Sequence, residues 1–200
     1  MESRPSQDRF DDQAPTLAAA APTQMVSAPA TGTRRVLVLG LGNDILSDDS
    51  VGLRVVQQAR PLLASESAVT VQETCEMGLS LLDFIAGYQE VILVDAVQTH
   101  QAPPGHWQEI DADELKTLPQ MSPHFLGVGE VLSLGRVLGL AMPARVRIFA
   151  IEVSDPFTVN TELTAAVKQV VPRMVERVVQ AAQAAARGGL TRPSARVHCH

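Results

Sequence analysis

Two adjacent carboxylates, Asp48 and Asp49, follow a glycine loop in the stretch LVLGLGNDILSDDSVG, residues 37–52, and a third, Asp95, sits near the end of the apolar run EVILVDAV. Acids that converge attract hard or borderline cations, and histidine is their commonest companion. Five histidines are available. His100 and His106 flank QAPPG, a turn composition, and are expected at the surface. His198 and His200 bracket Cys199 in a tail of loop composition, where they can pick up metal without forming a preformed site. His124, in SPHFLGVGE, follows a proline that fixes the chain's approach and precedes an apolar helix pattern. It is the histidine best placed to join the acids.

The glycine loop also admits a nucleotide reading, and its chemistry opposes it. A dinucleotide loop needs a third glycine for helix packing and stays free of negative charge. Gly40 and Gly42 lack that partner, since Ile45 occupies the place, and the aspartates repel a pyrophosphate. Plainer roles stand beside the metal reading. One of Asp48, Asp49 and Ser50 can cap a helix that begins near Val51; a cap needs only one of them. Asp95 can bind main-chain amides of the turn that follows it. Cys75, in QETCEMG, can be a thiol nucleophile with His124 as its base, but no local signature surrounds it. A small half-buried residue is the simpler reading. The zinc-peptidase pattern H-E-x-x-H and the nucleophile elbow G-x-S-x-G are both absent.

These residues need elements to hold them. RVLVLG and EVILVDAV are continuous apolar runs, the mark of strands covered on both faces. AVTVQE alternates as a strand, GHWQEI suggests a shorter one, and ARVRIFAIEV the last. Helical spacing predicts VGLRVVQQAR as a helix ending before Pro61, a second over residues 78–88 closed by Gly87, and a third over GVGEVLSLGRVLGL. A final helix starts around residues 160–162 and carries an apolar stripe from Val167 to Val179 that Pro172 should kink or break. Strands alternating with helices predict a three-layer α/β/α domain with a largely parallel sheet. In such sheets ligands sit beyond the carboxyl ends of the strands, near a topological switch point, so the acids are expected on one edge.

The bulk composition narrows the partners. With 200 residues, of which 46% are hydrophobic, the chain has material for one well-cored domain. A net charge of −6 argues against a nucleic-acid surface, because phosphate binding relies on Lys and Arg. Two distant cysteines make no disulfide framework, which fits a reducing, cytoplasmic setting. No stretch approaches the roughly 20 apolar residues of a membrane span. Residues 1–33, rich in Ala, Pro, Ser, Thr and Gln, are expected to be a disordered leader. The folded domain then covers 34–187, and 188–200 form a flexible tail.

Taken together, VLGLGNDILSDDSVG, MGLSLLDFIAGYQEVILVDAV and SPHFLGVGEVL, in that order, resemble the hydrogenase maturation endopeptidases. The similarity runs from about Val36 to Ala182. It implies a twisted five-stranded sheet between helices and an endopeptidase acting on the large-subunit precursor of a nickel-iron hydrogenase. Such an enzyme removes a short C-terminal extension after nickel has been inserted, cutting beyond a basic residue. The resemblance places a metal site on Asp49, Asp95 and His124. Asp49 is one methylene shorter than the Glu often found at its position in relatives. Asp48 is left as a candidate base. The family's glycine-rich turn is replaced by Glu73-Thr74-Cys75-Glu76, with only Gly78 retained. An acid-rich, one-histidine set suits contact with nickel already held by the substrate's thiolates better than storage of a resident ion. No permanently bound cofactor is expected, and a monomer is the default. A non-catalytic nickel-sensing assembly chaperone is the alternative function.

Overall fold

The computed structural model describes residues 34–112 and 128–188. Its five strands are β1 (Val36–Leu41), β2 (Val69–Thr74), β3 (Glu90–Val97), β4 (Trp107–Asp111) and β5 (Arg145–Glu152). They form one sheet in the order β2-β1-β3-β5-β4, parallel throughout except for β4, which pairs antiparallel with β5. Four helices accompany them: α1 (Val51–Leu62), α2 (Leu81–Ile85), α3 (Val128–Val137) and α4 (Ala165–Ala186).

Alternation along the inner strands builds two cores, one on each face of the sheet. Val36, Val38, Ile92, Val94, Phe149 and Ile151 pack against α1 and α4. Leu37, Leu39, Val91, Leu93, Ile148 and Ala150 pack against α2 and α3. The continuous apolar runs therefore read as they should: every residue of β1 and β3 is buried, because helices cover both sides. This is the three-layer α/β/α sandwich expected from the alternation of elements. β2, at the sheet edge, is only half-buried along most of its length.

The helices differ from expectation in their boundaries. α1 runs through Pro61, which lies exposed in the last turn, where the loss of one main-chain donor disturbs little. α4 likewise continues unbroken past Pro172. That proline is on the solvent side, where a freed carbonyl can turn to water, while Val171, Met174, Val175 and Val178 hold the opposite face in the core. Its start is Ala165, later than expected, because Thr164 is the cap. The second predicted helix shrinks to a 3-10 turn at residues 78–80 and the short α2. Ala86 turns extended after it, and Gly87, at φ 85°, completes the exit.

Successive connections set the geometry of the edge. From β1 the chain steps to β2 on one side, then crosses back to β3 on the other, so the order reverses between β1 and β3. That reversal opens a crevice at the strands' carboxyl ends.

Candidate functional site

Asp48 and Asp49 lie in a 3-10 turn between β1 and α1, and Asp95 lies three residues from the start of the β3–β4 connection. The two strands are neighbours, with Gly40 in register with Val94. The structure thus brings the first two acids and the third to the two sides of the switch point.

Glycines make the approach close. A side chain on Gly52 would collide with the main-chain oxygens of Leu41 and Val94, and one on Gly40 with Val56 and the Gly52 carbonyl. Gly42 adopts φ 140°, and a Cβ there would meet the Asp49 carbonyl. The close helix packing assigned to a third loop glycine therefore exists after all. It is performed by Gly52, inside the helix, rather than by position 45. A glycine in the first turn of an apolar helix was the signal.

Asp48 and Asp49, although adjacent, do different work. Asp48 is wholly buried. Its Oδ1 accepts the Thr164 N–H at 2.7 Å; its Oδ2 accepts the Ser154 and Asp155 N–H groups at 3.2 and 3.1 Å. The hydroxyls of Ser154 and Thr164 complete the cluster at 3.1 and 2.9 Å. Asp48 thus anchors Thr164, the N-cap residue of α4, more than 100 residues away. Ser50, another of the residues expected to cap α1, precedes that helix without a side-chain cap bond, and its hydroxyl donates to the Ser47 carbonyl.

Asp49 is also buried, and its charge acts on Asp95. Asp95 is wholly buried, with Oδ1 accepting the Ala96 N–H at 2.8 Å. Burial pushes the Asp95 carboxyl well above the usual carboxylate range; the Asp49 charge adds to this, and the Ala96 amide partly offsets it. By alternation Asp95 follows Val91 and Leu93 onto the α3 face of the sheet. His124 precedes α3 by four residues and lies outside the described residues. Among the described residues there is no cluster of three or more metal-ligating side chains. The described part of the expected ligand set is the pair Asp49 and Asp95.

A second clamp escaped the sequence reading. Glu152, buried at the end of β5, accepts the Thr99 N–H, the Thr99 hydroxyl and the His100 N–H at 2.8, 2.7 and 2.7 Å. These bonds hold the connection after Asp95 and support His100 at φ 58°. An acid ending β5 as Asp95 nearly ends β3 was the available signal. Cys75 is exposed rather than half-buried, in the turn after β2. His100 is exposed as expected, and His106 is half-buried. Among the described residues no helix is long and apolar enough to cross a membrane.

Known proteins are similar to this chain in sequence and in arrangement. The family model described as hydrogenase maturation protease matches residues 53–181. The hydrogenase 2 maturation protease of Escherichia coli is 28% identical over 74% of this chain and 90% of its own length. The hydrogenase expression/formation protein HupD of Rhizobium leguminosarum is 30% identical over 73% of each chain. Among solved structures, the hydrogenase maturating endopeptidase HybD of E. coli superposes with a TM-score of 0.63 at 26% identity, covering 74% of this chain and 92% of that one. The HybD protease of Thermococcus kodakarensis follows the same sheet with a TM-score of 0.54. With a family match over more than half its length, and with sheet and helices to fit, the chain belongs to the hydrogenase maturation proteases and is a peptide hydrolase of that family.

Proposed function

We infer that the chain removes the C-terminal extension of the large-subunit precursor of a nickel-iron hydrogenase after nickel insertion, and that the substrate's nickel is what it recognises. The observation carrying this is the coupled acid pair. Two carboxylates from different strand ends are buried together at the switch point, and burial, with the Asp49 charge, pushes the Asp95 carboxyl well above the usual carboxylate range. Such a pair is costly without a cation and favourable with one. Asp49 and Asp95 would supply oxygens and His124 a nitrogen. The precursor's cysteines would supply the thiolates that hold the ion.

Each residue of the chain then has a defined task. Asp49 and Asp95 hold the nickel-bearing end of the precursor and orient its tail, which lowers the entropy cost of reaching the scissile bond. Asp48, with five donors on its two oxygens, is a positioning residue rather than a base. It ties the turn carrying Asp49 to the loop before α4. Glu152 does the same for the connection after Asp95.

The test is to mix the purified protein with nickel-loaded and with verified nickel-free precursor and weigh the products. The loaded precursor should lose its extension and the empty one stay intact, with enzyme that was first treated with chelator and desalted. Efficient cutting of the empty precursor refutes nickel recognition. Binding of loaded precursor without cutting points to an assembly chaperone.

A further inference from the structure

Beside the acid pair lies a feature that catalysis does not require. Leu46 and Val159 form an isolated antiparallel bridge, flanked by Ser47 N–H to Thr158 O at 2.9 Å and Asn160 N–H to Ile45 O at 3.0 Å. This short ribbon joins the loop before Asp48 to the loop before α4. It presents Phe157 and Val159 to solvent, at 76 and 75% exposure, while Ile45, one residue out of step with the Leu46–Val159 pair, takes the ribbon's other face. Asp155 Oδ1 accepts the Phe157 and Thr158 N–H groups at 3.3 and 3.0 Å, so the turn that holds the phenyl ring outward is fixed before anything binds. Met77 and Leu79, exposed in the turn after β2, stand on the same edge of the sheet. An apolar group of this kind on a bonded scaffold marks an interaction site.

The charge around it is one-sided. In the loops at the carboxyl ends of the parallel strands, residues 42–50, 74–80, 95–106 and 152–164, Asp44, Glu76 and Glu162 are exposed and Asp155 is half-buried, while Asp48, Asp49, Asp95 and Glu152 are buried. None of the four segments contains a lysine or an arginine. On the neighbouring helices, Lys168 pairs with Glu162, and Arg54, which donates to the Thr161 carbonyl, keeps its charge.

We propose that the Phe157–Val159 side of this ribbon is the docking surface for the substrate polypeptide, and that it takes a segment carrying apolar side chains together with Lys or Arg. This rests on the proposed processing function. The apolar residues anchor the segment and the surrounding carboxylates attract its cations, so that the scissile region reaches Asp49 and Asp95 already aligned.

The experiment compares three proteins on nickel-loaded precursor: the unaltered chain, F157S/V159S, and the control V137S/L138S. The control residues are equally exposed but lie at the C-terminal end of α3, at the opposite edge of the sheet. Both pairs are on the surface, and unchanged melting temperatures will confirm that all three fold. F157S/V159S should raise KM about tenfold, equivalent to roughly 1.4 kcal/mol, with kcat within twofold of the parent. The control should match the parent, and the parent's KM should rise with added salt. An unchanged KM in F157S/V159S, an equal rise in the control, or a fall in kcat alone overturns the proposal. So does light scattering showing that the ribbon variant only dissolves a dimer. A titration of precursor binding runs alongside. If the unaltered chain binds precursor without cutting it, the processing function fails, and the loss or retention of binding in F157S/V159S still decides the docking surface.

Discussion

Replacing Asp48 with asparagine removes one negative charge and turns one of two acceptor oxygens into a donor. In the native protein those oxygens receive three main-chain N–H groups and two hydroxyls at 2.7–3.2 Å. If the remaining carbonyl faces Ser154 and Asp155, the new NH2 points at the Thr164 N–H, donor against donor. If the amide flips, two main-chain bonds go instead of one. The hydroxyls can rotate to accept and so recover part of the loss. Water reaches some of the cluster, since Ser154 is exposed and Asp155 and Thr164 are half-buried, which keeps each lost bond near about 1 kcal/mol. One or two such bonds, plus the weakening of the rest from charge-assisted to neutral, come to about 2–3 kcal/mol. For a domain of this size that lowers the melting temperature by roughly 4–12 °C. Urea denaturation followed by circular dichroism measures it, with Asp49→Asn as the companion. Asp49→Asn removes the like charge beside Asp95, so it should lose less stability than Asp48→Asn while losing precursor processing. An Asp48→Asn protein as stable as the parent would refute the clamp. Were it also inactive, Asp48 would return as a catalytic group.

Three further outcomes follow from the same geometry. Asp95 has a folded-state pKa above its unfolded value, so its ionisation costs stability at neutral pH and nothing once the pH is below the unfolded value near about 4. Asp95→Asn should therefore be more stable than the metal-free parent at pH 7, and the gain should shrink by no more than about 1.4 kcal/mol per pH unit as pH falls toward 4; a gain independent of pH in parallel melts would contradict this. Gly52→Ala pushes a methyl into the main-chain oxygens of Leu41 and Val94, and overpacking of that kind costs about 1–3 kcal/mol or more. Denaturation showing a neutral or stabilising effect would mean that α1 can back away from the sheet. Cys75→Ser should process precursor at nearly the parent rate and thiol alkylation should inhibit little, since Cys75 is an exposed turn residue; loss of cleavage in a folded Cys75→Ser protein would revive a thiol mechanism.

Much of the fold is written in short-range spacing. The unbroken apolar runs of β1 and β3, the alternation of AVTVQE and the stripe of α4 are periodic patterns that declare their own burial, because period two or 3.6 fixes which face a side chain takes. That is why the three layers and the strand-end location of the acids were legible in advance, and why the two prolines misled. A proline's local cost is plain in the sequence, but whether it falls on the solvent side of a buried helix is not. The division of labour between Asp48 and Asp49 was decided by tertiary structure alone. The residues are adjacent and identical in type, yet one meets donors 106–116 positions away and the other meets the field of Asp95. No local spacing encodes those partners. They come together because the strand order reverses between β1 and β3 and because Gly52 lets α1 close on the strand ends, bringing loops distant in the chain onto one edge.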